Sequence, residues 1–124
     1  MAGGNYLLVA DLDALPALAL RLRGLGPEAR VIVVAERASI RLETLAAVTI
    51  HWIDRLAAFG PRSLDDALRA LFLPQDALNV WVGCEAGEAR RVCAQLIDDH
   101  GVHRERLETM APLEPVLYVL DALA

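Results

Sequence analysis

Tyr6-Leu7-Leu8-Val9-Ala10, followed beyond the turn at Asp11 by Leu15, Leu18, Leu22 and Leu25, decides how this chain folds. The first run is apolar throughout, so it reads as a strand buried on both faces. The leucines recur at i, i+3, i+7 and i+10, which is one face of a helix. Asp13 is the expected N-cap and Pro16 suits the first turn. Gly24 and Gly26 end the helix, and Pro27 blocks its continuation.

The same alternation continues outward. Residues 30–35 carry Val31-Ile32-Val33-Val34, a second strand without a polar face. Residues 36–47 fit either a loop or a short helix, and residues 48–53 form a third strand. Ser63-Leu64-Asp65-Asp66 has capping-box spacing, with Asp in place of the usual Glu. Leu64, Ala67, Leu68, Leu71 and Phe72 give that helix its buried face, and Pro74 closes it. Residues 79–83 are a fourth strand. The next helix buries Ala89, Val92, Cys93, Leu96 and Ile97, with Arg90, Arg91, Gln95, Asp98 and Asp99 on the wet side and Gly101 as its stop. A weak last strand falls at residues 106–110. Strands and helices alternating in one small domain imply parallel pairing by right-handed crossovers. The expected fold is α/β: a three-layer, doubly wound, Rossmann-like sheet of order 3-2-1-4-5. Such sheets bind ligands beyond the carboxyl ends of the strands at the switch point. That places a site at residues 10–15 and 83–87.

Composition narrows the functions. A chain of 124 residues is expected to be a single domain, and 56% hydrophobic against 23% charged residues excludes a disordered chain. The net charge is −5 and all 12 basic residues are arginine. Nucleic acid is therefore excluded as the main partner, and lysine chemistry of the Schiff-base or Walker type is excluded outright. Two cysteines make no disulfide scaffold, and no Cys/His cluster suggests a metal. The N-terminus lacks a basic leader and its apolar run stops at Asp11. No run approaches the ~18 apolar residues of a membrane span, so a cytoplasmic location without a membrane span is the expectation.

The residues that could carry chemistry are few. The first turn lacks the glycine fingerprint that grips a pyrophosphate. Gly83 and Gly87 would let a ligand approach the backbone, next to the free amides of a helix start. Cys84 lies at that start, where the dipole favours a thiolate and Glu85 opposes it. Ordinary reactivity and a packing or ligand-adjacent role are expected, because no base for a nucleophile is identifiable. Cys93 belongs to the core. His51 sits on a strand face, while His100 and His103 flank a turn. Glu36 follows the second strand, where a carboxylate binds ribose in some doubly wound folds and is plain surface charge in others.

Taken in order, these segments resemble the C-terminal, NAD(P)H-binding domain of siderophore-interacting proteins, a family of flavin-dependent ferric-siderophore reductases. The resemblance runs from about Tyr6 to Arg106. Ala10-Asp11-Leu12-Asp13-Ala14-Leu15-Pro16 stands where the family has Gly-Asp-Glu-Thr-Ala-Leu-Pro. Trp52-Ile53-Asp54-Arg55 matches its Trp-Leu-His-Arg-like stretch. Val80-Trp81-Val82-Gly83-Cys84-Glu85-Ala86 matches its Val-Trp-Val-Ala-Gly-Glu-Ala, with Arg90-Arg91 and His100-Gly101-Val102 after it.

The resemblance implies an NADH- or NADPH-binding module that delivers hydride to a flavin held elsewhere, with no flavin on this chain and no catalytic residue of its own. The nucleotide would lie over Asp11, Asp13, Leu15, Pro16, Glu36, Trp52, Arg55, Gly83, Cys84, Glu85, Ala86 and Gly87. The implied partner is a flavin-binding protein or ferric-siderophore reductase. The chain departs from the family at Ala10 and Cys84, both glycine there, and in the missing Gly-Tyr-Trp ending. Those departures suit a natural stand-alone relative, and also a degenerate domain that keeps the fold and serves as an interaction or regulatory subunit. The atypical apolar tail at residues 111–124, with Val116-Leu117-Tyr118-Val119-Leu120, suggests a homodimer paired through the tail.

Overall fold

The computed structural model describes residues 4–74 and 77–110. The apolar tail lies outside the described residues. The chain runs through β1 (Gly4–Ala10), α1 (Leu15–Arg23), β2 (Ala29–Glu36), β3 (Ala47–Ile53), α2 (Leu64–Arg69), β4 (Leu78–Gly83), α3 (Ala86–Asp98), a 3-10 turn (Arg104–Arg106) and β5 (Leu107–Thr109). All four strand pairings are parallel and the sheet order is β3-β2-β1-β4-β5. The expected fold class and order are both present.

Strand alternation sorts the core into two layers. Leu7 and Val9 of β1, Val34 of β2, and Val80 and Val82 of β4 face α2 and α3. Leu8 and Ala10, Val31, Val33 and Ala35, and Trp81 face α1. Central strands buried on both sides need apolar residues at every position, which is why β1, β2 and β4 read as unbroken runs. Residues 37–46 form no helix. They lay Ala38, Ile40 and Leu42 over the α1-side core, and Thr44 Oγ1 donates to the Leu22 carbonyl at 2.6 Å.

Several local expectations are corrected. The N-cap of α1 is Ala14, not Asp13, and it makes no side-chain cap. Asp11 does that work instead, its Oδ1 accepting from the Ala14 amide at 3.0 Å. Ser63 caps α2 as expected, accepting from the Asp66 amide. That helix ends at Arg69 rather than at Pro74, so the helical spacing no longer holds at Phe72, which is almost wholly exposed while Leu73 is buried. Gln95 is buried, not wet, because Glu88, Val92 and Gln95 recur at i, i+4 and i+7 along a flank of α3 that α2 covers. β5 is shorter than residues 106–110, although the Met110 amide still donates to the Val82 carbonyl.

Candidate functional site

At the switch point between β1 and β4, the Asp11 amide donates to the Gly83 carbonyl at 3.0 Å and locks the two strand ends together. Above them opens a cleft of about 450 Å³, lined by Asp11, Leu12, Asp13, Glu36, Arg55, Glu85, Glu88 and Arg91. Its carboxylates outnumber its guanidinium groups, and each carboxylate whose bonds are seen binds this protein's own backbone or arginine.

Asp11 is the hinge of the cleft. Besides holding Ala14 it reaches across, its Oδ2 accepting from the Glu85 amide at 3.0 Å. Burial pushes its pKa above the usual 3.8, against the pull of those two amides, and Asp13 and Glu36 add repulsion in the same upward direction. Glu85 is the N-cap of α3. Its carboxylate accepts from the Gly87 amide at 2.5 Å and the Glu88 amide at 3.2 Å, and these bonds lower its pKa. The helix-start amides expected to be free are thus held by the protein's own side chain.

Arg55 ties the far wall together. Its two terminal nitrogens grip Glu88 at 2.8 and 3.0 Å, and its Nε meets Glu36 at 3.2 Å. Glu36 Oε1 in turn accepts from the Leu12 amide, and Glu88 Oε2 accepts from the Leu64 amide at 3.0 Å. One ionic network therefore joins the ends of β2 and β3 to the starts of α2 and α3. The pairing holds the Arg55 pKa far above its ordinary value.

Of the residues implied for a nucleotide, the structure brings Asp11, Asp13, Glu36, Arg55 and Glu85 to one cleft. Ala86 and Gly87 sit beside it on the first turn of α3. Leu15 is buried as the first residue of α1, Pro16 is exposed in the first turn of that helix, and Trp52 packs against the α1-side core. Gly83 answers a packing need. A Cβ there would lie 2.6 Å from the Trp81 ring and 2.9 Å from the Ala14 methyl. At Gly87 a Cβ would lie 2.9 Å from Glu85 Oε1.

Cys84 precedes the cap and turns inward, only 4% exposed. Burial, and then the nearby Glu88 and Asp11 carboxylates, push its pKa up to about 12. It is a core thiol well short of the ordinary reactivity expected, because desolvation and these charges outweigh the helix dipole. Glu88 and Arg91 were the residues not anticipated in the site. The signal for Glu88 was available: a charged residue one turn before Val92 on the buried stripe of α3.

Residues 4–111 match the family described as siderophore-interacting protein. A siderophore utilization protein from T. fusca is 28% identical, over 85% of this chain and 42% of its own, with a TM-score of 0.65. The siderophore-interacting protein of Aeromonas hydrophila is 21% identical, over 86% of this chain and 44% of its own, with a TM-score of 0.63. That of Acinetobacter baumannii is 22% identical, over 96% and 51%, with a TM-score of 0.64, so these last two share the fold. The chain spans about half the length of these structures, or less. No curated protein matches it. Among the described residues no helix is long and apolar enough to cross a membrane, and none of their His, Cys, Asp and Glu side chains gather as a metal site. The match over residues 4–111 makes this chain a member of the siderophore-interacting protein family.

Proposed function

We propose that this chain is the nucleotide-side module of a ferric-siderophore reductase, presenting NADH or NADPH to a flavin carried on a barrel outside these residues. The cleft at the β1–β4 switch point carries the reading, because it is where doubly wound sheets take their ligands. The nucleotide would supply the hydride, and the protein would bind and orient it. The cleft suits the uncharged nicotinamide and ribose. It suits the phosphates less well. Arg55 is already paired, Arg91 Nε lies 3.6 Å from Asp65, and the α3 amides are held by Glu85. Glu85 is exposed and can swing away, so binding is expected but weak, with a Kd of ~10–100 μM.

Titration calorimetry with NADH and NADPH tests the reading. The protein alone should be colourless and should not reduce ferric siderophores until a flavoprotein is added. Stoichiometric flavin in the purified protein would overturn the division of labour. No heat at millimolar nucleotide would favour a second reading, a domain that keeps the fold and acts as an interaction or regulatory subunit. The carboxylate on the α3 amides is the observation that supports this alternative.

A further inference from the structure

Glu36 is the last residue of β2, one step past Ala35, which pairs with Ala10 of β1. It therefore stands beside the first turn and lines the cleft. Two donors fix its side chain, and both reach the same oxygen. The Leu12 amide and Arg55 Nε each lie 3.2 Å from Oε1. Neither bond uses Oε2. The side chain is 18% exposed, so it is held in place without being sealed off from the cleft. An ionised carboxylate only accepts hydrogen bonds, and its two oxygens have room for about four. Glu36 is thus an anchored acceptor with capacity left for a ligand hydroxyl.

Its place in the fold identifies the hydroxyl. In doubly wound sheets a carboxylate beyond the first turn takes the 2′-hydroxyl of the adenosine ribose, whereas an arginine there takes a 2′-phosphate. Charge points the same way. Asp11, Asp13, Glu36, Glu85 and Glu88 line the cleft against only Arg55 and Arg91. Both guanidinium groups already face carboxylates, Arg55 those of Glu36 and Glu88, and Arg91 that of Asp65. Arg37 follows Glu36 in the chain, but it is exposed and does not line the cleft. A 2′-phosphate would set up to about two negative charges against the Glu36 carboxylate.

We propose, resting on the nucleotide reading above, that Glu36 makes this cleft selective for NADH over NADPH, accepting the adenosine 2′-hydroxyl on Oε2 and turning away a 2′-phosphate. The hydroxyl gains an acceptor that is already in position, and the phosphate meets a like charge that Arg55 and Leu12 keep from moving aside.

Titration calorimetry of the full chain with NADH and NADPH, and with ADP-ribose and its 2′-phosphorylated form, is the test. NADH should bind at least about ten-fold tighter than NADPH, and added salt should narrow the gap. The two fragments lack nicotinamide and should split the same way, which places the choice at the adenosine ribose. Glu36→Gln keeps an acceptor for Leu12 and Arg55 but removes the charge, so the preference should fall to about three-fold or less. Glu36→Asp keeps the charge and draws the oxygens back, so NADH should weaken while NADPH stays poor. Arg37→Ala should leave both affinities unchanged. Circular dichroism checks the fold of each variant, and Glu36→Asp decides if Glu36→Gln does not fold. No heat with any of these ligands would overturn the nucleotide reading and the selectivity with it. Equal affinities, or tighter NADPH, would overturn the selectivity alone. So would a preference that survives Glu36→Gln, NADH binding untouched by Glu36→Asp, or NADPH binding lost in Arg37→Ala.

Discussion

Glu85 and Glu88 stand three residues apart at the head of α3, and the fold uses them in opposite ways. Glu88 points inward, is 4% exposed, and holds a guanidinium and a buried amide from two other elements. Glu85 points outward, is exposed, and its carboxylate binds only its own helix. The inward side of this helix start is tertiary structure, and the outward side is local structure that a ligand can compete with. The same carboxylate chemistry thus gives a fixed wall and a movable rim.

The largest effect should come from breaking the wall. Glu88→Ala strands the Leu64 amide and leaves Arg55 with only Glu36 and the Arg62 carbonyl. Removing one member of a buried pair costs far more than the pair itself contributes, so about 3 kcal/mol should be lost. Thermal unfolding should show a fall of about 10 °C. Glu88→Gln keeps an acceptor and should lose less. Glu85→Ala should hardly move the midpoint. If Glu85→Ala proved the more damaging, the division between wall and rim would be wrong.

The glycines should divide in the same way. The Cβ of Gly83→Ala meets the Trp81 ring and the Ala14 methyl, both fixed in the α1-side core, so a cost of about 1–3 kcal/mol is expected. The Cβ of Gly87→Ala meets only the free end of the Glu85 side chain, and alanine favours the helix. That variant should stay within about 1 kcal/mol of the parent. Chemical denaturation of the two variants makes the comparison.

The contrast between inward and outward also marks what could be read from the sequence. Residues 6–10 and 31–34 announced central parallel strands because burial on both faces demands continuous apolar runs, and the sheet order followed from handedness. Phe72 was misread because helical spacing was carried past the point where the backbone leaves the helix. Gln95 was misread because polarity was taken for exposure, whereas α2 decides which flank of α3 is covered. Asp11, Glu36 and Glu85 line one cleft because they lie at or just past the ends of strands, and strand ends are legible. That Arg55 would join Glu88, 33 residues away, was not, because a tertiary ion pair leaves no periodic trace.

Cys84 extends the comparison to the alkaline side. Its pKa in the fold is pushed up to about 12, so the folded chain keeps a proton that the unfolded thiol gives up near its ordinary 9.0. Above about pH 9 the unfolded state binds fewer protons and stability falls, continuing until about pH 12. Cys84→Ser should flatten that decline. At pH 8 the native protein should alkylate Cys84 much more slowly than a free thiol does, with rapid labelling only after denaturant is added. Rapid labelling of the native protein would place Cys84 on the rim.

The smallest effect, and the finest test, is the acid titration of Asp11 and Glu85, which meet where the Glu85 amide donates to Asp11 Oδ2. An aspartate ordinarily titrates below a glutamate. Here burial lifts Asp11 from 3.8 while the α3 amides lower Glu85 from 4.5, so the usual gap should narrow or reverse. The consequences for stability have opposite signs. The contribution of Glu85 is present above about pH 4.5 and is lost as pH falls through its lower folded value. The ionised Asp11 opposes the fold, and that opposition is relieved as pH falls through its raised folded value. Near the acid edge the two act in opposite directions. Carboxyl-carbon NMR titration resolves the groups separately. Asp13→Asn should draw the Asp11 midpoint down, because Asp13 contributes to its rise, and should leave Glu85 in place. Displacement of both midpoints in the same direction would mean that burial governs the whole cleft and that Glu85 is no longer part of an open rim.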